Sequence, residues 1–214
     1  MGKKEIKDIR FKLVAEKVIK NLERRNLEGY CAETKEDACK LALSLIPEGS
    51  SIGWGGSISV DEIGLKDAVK NGPYTCIDRD SAKDPAERKA LMKKCLTADV
   101  FLMGTNAISE DGQLVNIDGG GNRVAALCYG PDSVIVIAGI NKLVRTLDDA
   151  ISRARNYAAP VNAQRFNSET ACHKNGACGD CNMSGCICSQ IVITRNSLPK
   201  GRIKVILVNE DLGF

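Results

Sequence analysis

Five cysteines, Cys172, Cys178, Cys181, Cys186 and Cys188, fall within residues 172–188, in a stretch rich in glycine and nearly free of aliphatic side chains. Thiolates this close together are ligands for soft metals. Cys178 and Cys181 are separated by two residues, a spacing that lets both sulfurs reach one metal from a single turn. The segment 170–189 cannot bury a core of its own. Bonds to a metal or cluster would supply the order that packing does not. Four thiolates suit zinc and an iron–sulfur cluster almost equally, and five leave one thiol over. The other cysteines, Cys31, Cys39, Cys76, Cys95 and Cys128, are scattered among apolar residues and read as small hydrophobic side chains. His173 is the only histidine, so His-dependent triads and His-dependent zinc catalysis are excluded.

A second stretch, Gly104 to Ala126, places Asn106, Asp111, Asn116, Asp118 and Asn122 around Gly119, Gly120 and Gly121. Short polar side chains beside glycines suit a place where backbone comes close to a ligand. A strand, an Asp111-Gly112 turn and a second strand would account for Asp111 and Gly112. It leaves Asn106, Asn116, Asp118 and Asn122 without a role. Upstream, Gly53-Trp54-Gly55-Gly56-Ser57 joins a strand to a capped helix, where backbone amides can cradle an anion. It is neither a dinucleotide fingerprint nor a phosphate-binding P-loop.

These groups need elements to hold them. Helical spacing of Phe11, Val14, Ala15, Val18, Ile19 and Leu22 predicts an amphipathic helix over about 5–27. Thr34 and Ser59, each with an acid three residues on, predict caps for helices after 34 and near Val60. Asp84-Pro85-Ala86-Glu87 starts another helix, and Thr146 opens one carrying Leu147, Ala150, Ile151 and Ala154. Strands are predicted near 51–53, 74–77, 99–104, 133–138, 191–193 and 203–208. Strands alternating with helices predict one α/β domain over 1–214: an open, largely parallel sheet with helices on both faces.

In such a sheet a ligand sits outside the carboxyl ends of the strands. If loops 53–59, 104–123 and 139–142 converge there, the ligand-binding candidates are Gly53, Gly55, Gly56, Ser57, Ser59, Gly104, Asn106, Asn116, Gly119, Gly120, Asn122 and Asn141. Lys142 would be a fixed positive charge, and Glu62 or Asp118 a carboxylate for proton transfer. The plainer roles are a capping partner of Ser59 for Glu62 and a solvated helix lead-in for Lys142. Trp54 would cover either a ligand or a core edge.

Hydrophobic residues make up 43% and charged residues 27%, as in ordinary globular proteins. A net charge of +3 and 4% aromatics supply neither a basic stripe nor stacking platforms, so nucleic acid is not expected. No apolar run reaches the length of a membrane span or a signal peptide, so no membrane is expected either. A bacterial-type cytoplasmic protein is the natural expectation, with its ten cysteines reduced or metal-bound.

The central stretch also carries a resemblance. Asn106-Ala107-Ile108, Asp111-Gly112, Leu114, Asn116, Asp118-Gly119 and Gly121 through Ala126 follow a pattern shared by the LUD-domain (lactate-utilisation) family. Gly55-Gly56-Ser57, Glu62-Ile63-Gly64, Gly130-Pro131, Gly139 through Lys142 and Ala158 through Ala163 extend it over nearly the whole chain. The resemblance implies a fold like that of ribose-phosphate isomerases, glucosamine-phosphate deaminases and CoA transferases, and no single reaction. In relatives with the cysteine insert the pattern is similar to C-x5-C-x2-C followed by R-I-C. By that likeness Cys172, Cys178, Cys181 and Cys188 are the metal ligands, and Cys186 stands where the usual arginine would be. A family linked to organic-acid oxidation further implies a [4Fe–4S] cluster, with zinc as the alternative.

The leading expectation is therefore a protein that binds a small anionic metabolite, carries an iron–sulfur centre and serves oxidation of lactate or a related 2-hydroxy acid. Redox partner subunits are expected, and a homo-oligomer is compatible with it. One alternative is an isomerase, hydrolase or transferase on a phosphorylated or carboxylated metabolite, with structural zinc. Another is a non-catalytic binding or assembly subunit.

Overall fold

A computed structural model describes residues 1–214. Six strands form one sheet: β1 (Glu28–Ala32), β2 (Ser51–Trp54), β3 (Thr75–Ile77), β4 (Val100–Gly104), β7 (Ser133–Gly139) and β10 (Ile203–Val208). Their order is β1-β10-β7-β4-β2-β3, and every neighbouring pair is parallel. The expected α/β sheet is thus present, and the 133–138 strand is interior.

Alternation along these strands builds two cores, because successive side chains point to opposite faces. Phe101 and Met103 of β4, Val134, Val136 and Ala138 of β7, and Val205 and Leu207 of β10 pack on one face with Phe11, Ala15, Val18 and Leu22. Those four are the buried stripe of α1 (Lys3–Arg24). Val100 and Leu102, Ile135 and Ile137, and Ile206 and Val208 pack on the other. They meet α2 (Lys35–Ser44), α3 (Ile58–Glu62) and α4 (Leu65–Lys70). Each fully buried aliphatic side chain contributes about 1.5–3 kcal/mol by leaving water.

Capping fixes most helix starts as expected. Thr34 accepts from the Asp37 amide, and Asp84 accepts from Ala86 and Glu87 at the start of α5 (Pro85–Lys94). One cap is corrected. Ser57, not Ser59, caps α3 by accepting from Val60 N, so Ser59 and Glu62 do not form a capping box. The strand ends at Trp54, and only Ser57 then lies at the first helical turn's edge.

β4 runs on past Thr105 and Asn106 into a second sheet, ordered β8-β5-β6-β9. Its strands are β5 (Ala107–Ser109), β6 (Leu114–Asp118), β8 (Leu143–Val144) and β9 (Gln190–Thr194). The β5–β6 turn is the expected hairpin, with Gly112 at φ +87°. There a side chain would be strained, and a Cβ would meet the α1 backbone at Asn21 and Leu22 at 3.0 Å. α6 (Asn122–Cys128) follows β6. α7 (Leu147–Arg153) continues through a π-helical turn at Ala154–Ala158 into α8 (Ala159–Ala163) and packs small residues on β5 and β6. No helix is long and apolar enough to cross a membrane.

The insert is not wholly irregular: α9 (Ala171–Asn175) carries the buried Cys172. Of the five scattered cysteines, Cys95 is buried, Cys39 and Cys76 are half-buried, and Cys31 and Cys128 are exposed, so those last two are not core residues. Trp54 is a core residue, 1% exposed, with Lys70 over its ring.

Candidate functional site

The ends of β2, β4 and β7 are adjacent because β4 pairs with both its neighbours in parallel register. Their outgoing loops therefore meet at one edge of the sheet, around a cavity of about 400 Å³. Gly56, Ser57, Ser59, Gly104, Asn106, Asp118, Gly119, Gly120, Asn122 and Lys142 all line it. Gly53, Gly55, Asn116, Asn141 and Glu62 do not.

The arrangement inside depends on Arg123, which was not singled out from the sequence. Its guanidinium donates to Asp118 Oδ1 at 3.0 Å, Asn116 Oδ1 at 2.6 Å, Asn106 Oδ1 at 3.0 Å, Gly104 O at 3.0 Å and Ile117 O at 2.8 Å. Asp118 also accepts from the backbone amides of Arg123 and Val124, at 3.0 and 3.2 Å. The polar residues between Asn106 and Asp118 that a plain hairpin left unexplained are thus the acceptors of one arginine. Asn116 is fully buried, and its Nδ2 has no partner. Asp118 is tied to Arg123 at both carboxylate oxygens, which removes it as a free proton-transfer group.

Glu62 and Asn141 hold the segment at 212–213 instead of facing the cavity. Glu62 Oε2 accepts from Gly213 N at 2.8 Å, and Asn141 Oδ1 accepts from Leu212 N at 3.1 Å. Gly53 lies against Cys95, and Gly55 against the Arg123 stem. The Gly55 and Ser57 amides donate to Leu102 O and Gly55 O, so they are not available to cradle an anion.

Positive charge comes from side chains. Arg79 stands against Gly56, its Nη2 2.9 Å from where a Gly56 Cβ would sit. Its Nε lies 3.6 Å from Asp80, beyond hydrogen-bond length, and is buried without a partner. Burial pulls the Arg79 pKa down, partly offset by Asp80. Arg88 and Arg165 join it in the lining, while Asp118 is the one acidic residue there.

Lys142 is 4% exposed, and its Nζ donates to Ser59 Oγ at 2.7 Å. Burial, then Arg153 and Arg123, lower its pKa to about 7, against a smaller opposing effect of Glu62. It is therefore neither a solvated lead-in nor a fixed charge, but an amine poised between two states near neutral pH.

The insert closes one wall. Ile187 lines the cavity, and a Cβ on Gly119 would meet the Ile187 backbone at 3.3 Å. Cys186 and Cys188 flank it. Cys188 is half-buried, and its pKa is pushed up to about 12 by burial, then by Cys186, Cys172 and Cys178. Cys188 N donates to Cys186 Sγ at 3.4 Å. Three sulfurs thus lie within electrostatic reach of Cys188, and Cys186, not Cys181, is the one beside it. No three His, Cys, Asp or Glu side chains stand as a ready metal site. The donor set, thiols alone, fits zinc or an iron–sulfur cluster in its chemistry.

Nothing in the sequence marked Arg79, Arg88, Arg165 or Ile187. The signal available was the run Gly121-Asn122-Arg123, where an arginine follows the glycines just where a helix turns its first residues back toward β6.

A family model described as LUD domain matches residues 15–208. Among solved structures, a DUF162-family protein from Deinococcus radiodurans is similar, at 14% identity and a TM-score of 0.51, covering 92% of this chain and 96% of that one. Ribose 5-phosphate isomerase A from Methanocaldococcus jannaschii shares 23% identity over 53% of this chain and 55% of that one, with a TM-score of 0.33. eIF2B beta from Chaetomium thermophilum shares 17% over 54% and 44%, with a TM-score of 0.36. These last two scores are too low to bear on the fold, which rests on the parallel sheet itself. No curated protein matches the chain.

Proposed function

The chain belongs to the LUD-domain family, tied at the family level to lactate utilisation, and on that premise we propose that it binds a small anionic metabolite and serves oxidation of lactate or a related 2-hydroxy acid in the cytoplasm, with redox partner subunits. The observation that carries this reading is the charge of the cavity. Arg79, Arg88, Arg123 and Arg165 line it, against Asp118 alone. A volume of about 400 Å³ lies in the usual range of metabolite pockets. Arg79 is the natural carboxylate partner, because its buried Nε has no acceptor within the protein. Lys142 is the group suited to moving a proton, since Asp118 is committed to Arg123.

The proposed centre is a [4Fe–4S] cluster held by Cys172, Cys178, Cys181 and Cys188, with Cys186 as the rival ligand and zinc as the rival metal. A bound cluster would supply one-electron transfer beside the cavity wall. The chain's own contribution is to place Cys188 next to Ile187, a residue of the cavity wall. Anaerobic purification, with iron, sulfide and zinc analysis and visible absorption, tests the centre. Calorimetry with lactate, pyruvate and inorganic phosphate tests the pocket. Absence of binding by all three anions overturns it.

A second reading has an observation of its own. Arg79 and Arg88 share Asp80, at 3.6 and 3.2 Å, and Arg88 Nη1 donates to Arg79 O at 3.4 Å. Two guanidinium groups side by side suit a phosphoryl group. Phosphate binding with no lactate or pyruvate binding, and zinc in the insert, would favour an isomerase, hydrolase or transferase on a phosphorylated metabolite.

A further inference from the structure

We infer that Lys142 acts as a nucleophile, its amine forming an imine with the carbonyl carbon of a small anionic 2-oxo acid held in the cavity. This rests on reading the cavity as an anion site and goes beyond it by naming the ligand's reactive group. Lys142 ends the short 3-10 turn Ile140–Lys142 that leaves β7, and its side chain both lines the cavity and is 96% covered. Buried lysines are ordinarily paired with a carboxylate. This one has no ion pair, and its single hydrogen bond goes to the Ser59 hydroxyl.

The groups facing it come from every element around it. Ser59 and Glu62 belong to α3, Arg123 to α6 and Arg153 to α7, while Gly213 lies over Nζ. Glu62 turns one oxygen to the Gly213 amide, and Arg153 donates to Asn141 O and Asn106 O. Burial and two guanidinium groups therefore outweigh one carboxylate and favour the neutral amine, whose lone pair is free to attack. An ammonium needed only to attract an anion would not be buried among arginines that already do so. A buried, cation-flanked amine in a cavity that attracts anions is the environment that activates a lysine toward carbonyls.

The step balances within the cavity. The Nζ lone pair forms the N–C bond as the carbonyl π pair moves onto oxygen. One nitrogen proton passes to that oxygen, with the Ser59 hydroxyl at 2.7 Å as the relay. The carbinolamine then loses water, breaking the C–O bond and leaving the imine. No oxidant or reductant is consumed. The imine acidifies the adjacent carbon, so the protein can exchange a proton there.

The test is reductive trapping on the full-length protein. Pyruvate and glyoxylate, each with cyanoborohydride, are added at pH 7 and the modified lysines mapped by peptide mass spectrometry, with calorimetry in parallel. Lys142 is expected to be modified roughly ten-fold or more faster than exposed lysines such as Lys3 and Lys174. Lys142→Arg should abolish that adduct, Ser59→Ala should slow it, and lactate, which has no ketone or aldehyde carbonyl, should protect. The trapping rate should rise through about pH 7, the titration range of the amine. Modification spread over exposed lysines with Lys142 untouched, while pyruvate or glyoxylate binds by calorimetry, overturns the imine and leaves the anion site standing. No trapping and no binding of either overturns both.

Discussion

Arg123 and Asp118 hold each other through two separate atoms of the arginine: the side-chain Nε meets Oδ1 and the backbone amide meets Oδ2, each at 3.0 Å. The same carboxylate caps α6 and orients the guanidinium that α6 begins with. Arg123→Ala would leave Asp118 Oδ1, Asn116 Oδ1 and two backbone carbonyls without their arginine donor. The expected cost is about 3–5 kcal/mol, read by urea denaturation. Arg123→Lys should recover less than half of that, because one ammonium cannot reach five acceptors in one plane.

Ser57 and Ser59 separate into two roles that substitution can distinguish. Ser57→Ala removes the α3 cap and should cost about 1 kcal/mol. Ser59→Ala leaves the cap in place and instead removes the hydrogen bond of Lys142, so it should alter the titration of the amine, followed by NMR of the ε-methylene. Gly104→Ala would bring a Cβ to 2.7 Å from Ser57 Oγ and should lower stability by roughly 1–3 kcal/mol.

Lys142→Met makes a prediction with a definite sign. The folded amine titrates near 7 and the unfolded one at its ordinary value of 10.5. Between those values the unfolded chain binds the extra proton, so stability rises with pH across the window; below about 7 the full penalty of burying the charge stands. The Met variant should therefore be more stable than the wild type by roughly 2–4 kcal/mol at pH 7, even after losing the Ser59 bond. Its advantage should shrink toward zero by about pH 10.5, checked by melting curves of both proteins at several pH values. Buried thiols such as Cys95 shift the other way, but both proteins share them and they cancel in the difference.

Arg79→Met should weaken anion binding by about 10–100-fold, the loss of one charge-assisted hydrogen-bonding group, measured calorimetrically with whichever of lactate, pyruvate or phosphate binds the wild type. Stability should fall by less than about 1 kcal/mol, because the Nε that is lost has no protein acceptor. A large loss of stability with unchanged affinity would mean that Arg79 is a structural residue.

Most of the scaffold was legible because its signals are local. Asp84-Pro85 sets a helix start within four residues, Asp111-Gly112 sets a hairpin, and Ser133–Gly139 has no reading other than a buried strand. The convergence of three loops followed from the parallel sheet. What the chain concealed was which polar group faces which. Asn106, Asn116 and Asp118 looked like ligand groups because their donor, Arg123, lies 5 to 17 positions away and meets them only once β6 has folded back. Lys142 sits between Asn141 and Leu143 with nothing local to announce burial. Ser57 and Ser59 are both plausible caps until the end of β2 is known.

A Cys→Ser series addresses the insert. Loss of metal in Cys172, Cys178, Cys181 and Cys188 variants and full metal in Cys186→Ser is expected, since a thiolate centre fails when one ligand is removed. Metal retained in Cys181→Ser but lost in Cys186→Ser would instead select the sulfur that stands beside Cys188. Limited proteolysis within 170–189 should follow metal loss while the parallel sheet stays protected.

Ile187 gives this series a reach beyond the insert. Because its backbone rests on Gly119 and the residue is part of the cavity wall, the two cysteines beside it are anchored to the same surface that a metabolite would touch. Deleting 170–189 would breach the pocket as well as discard the thiols, so a truncated chain that no longer binds pyruvate would say nothing about electron transfer. Conversely, a metabolite seated against Gly119 and Ile187 should shield Cys186 and Cys188 from alkylating reagents, which makes their rate of modification a reporter of pocket occupancy that needs no knowledge of the reaction.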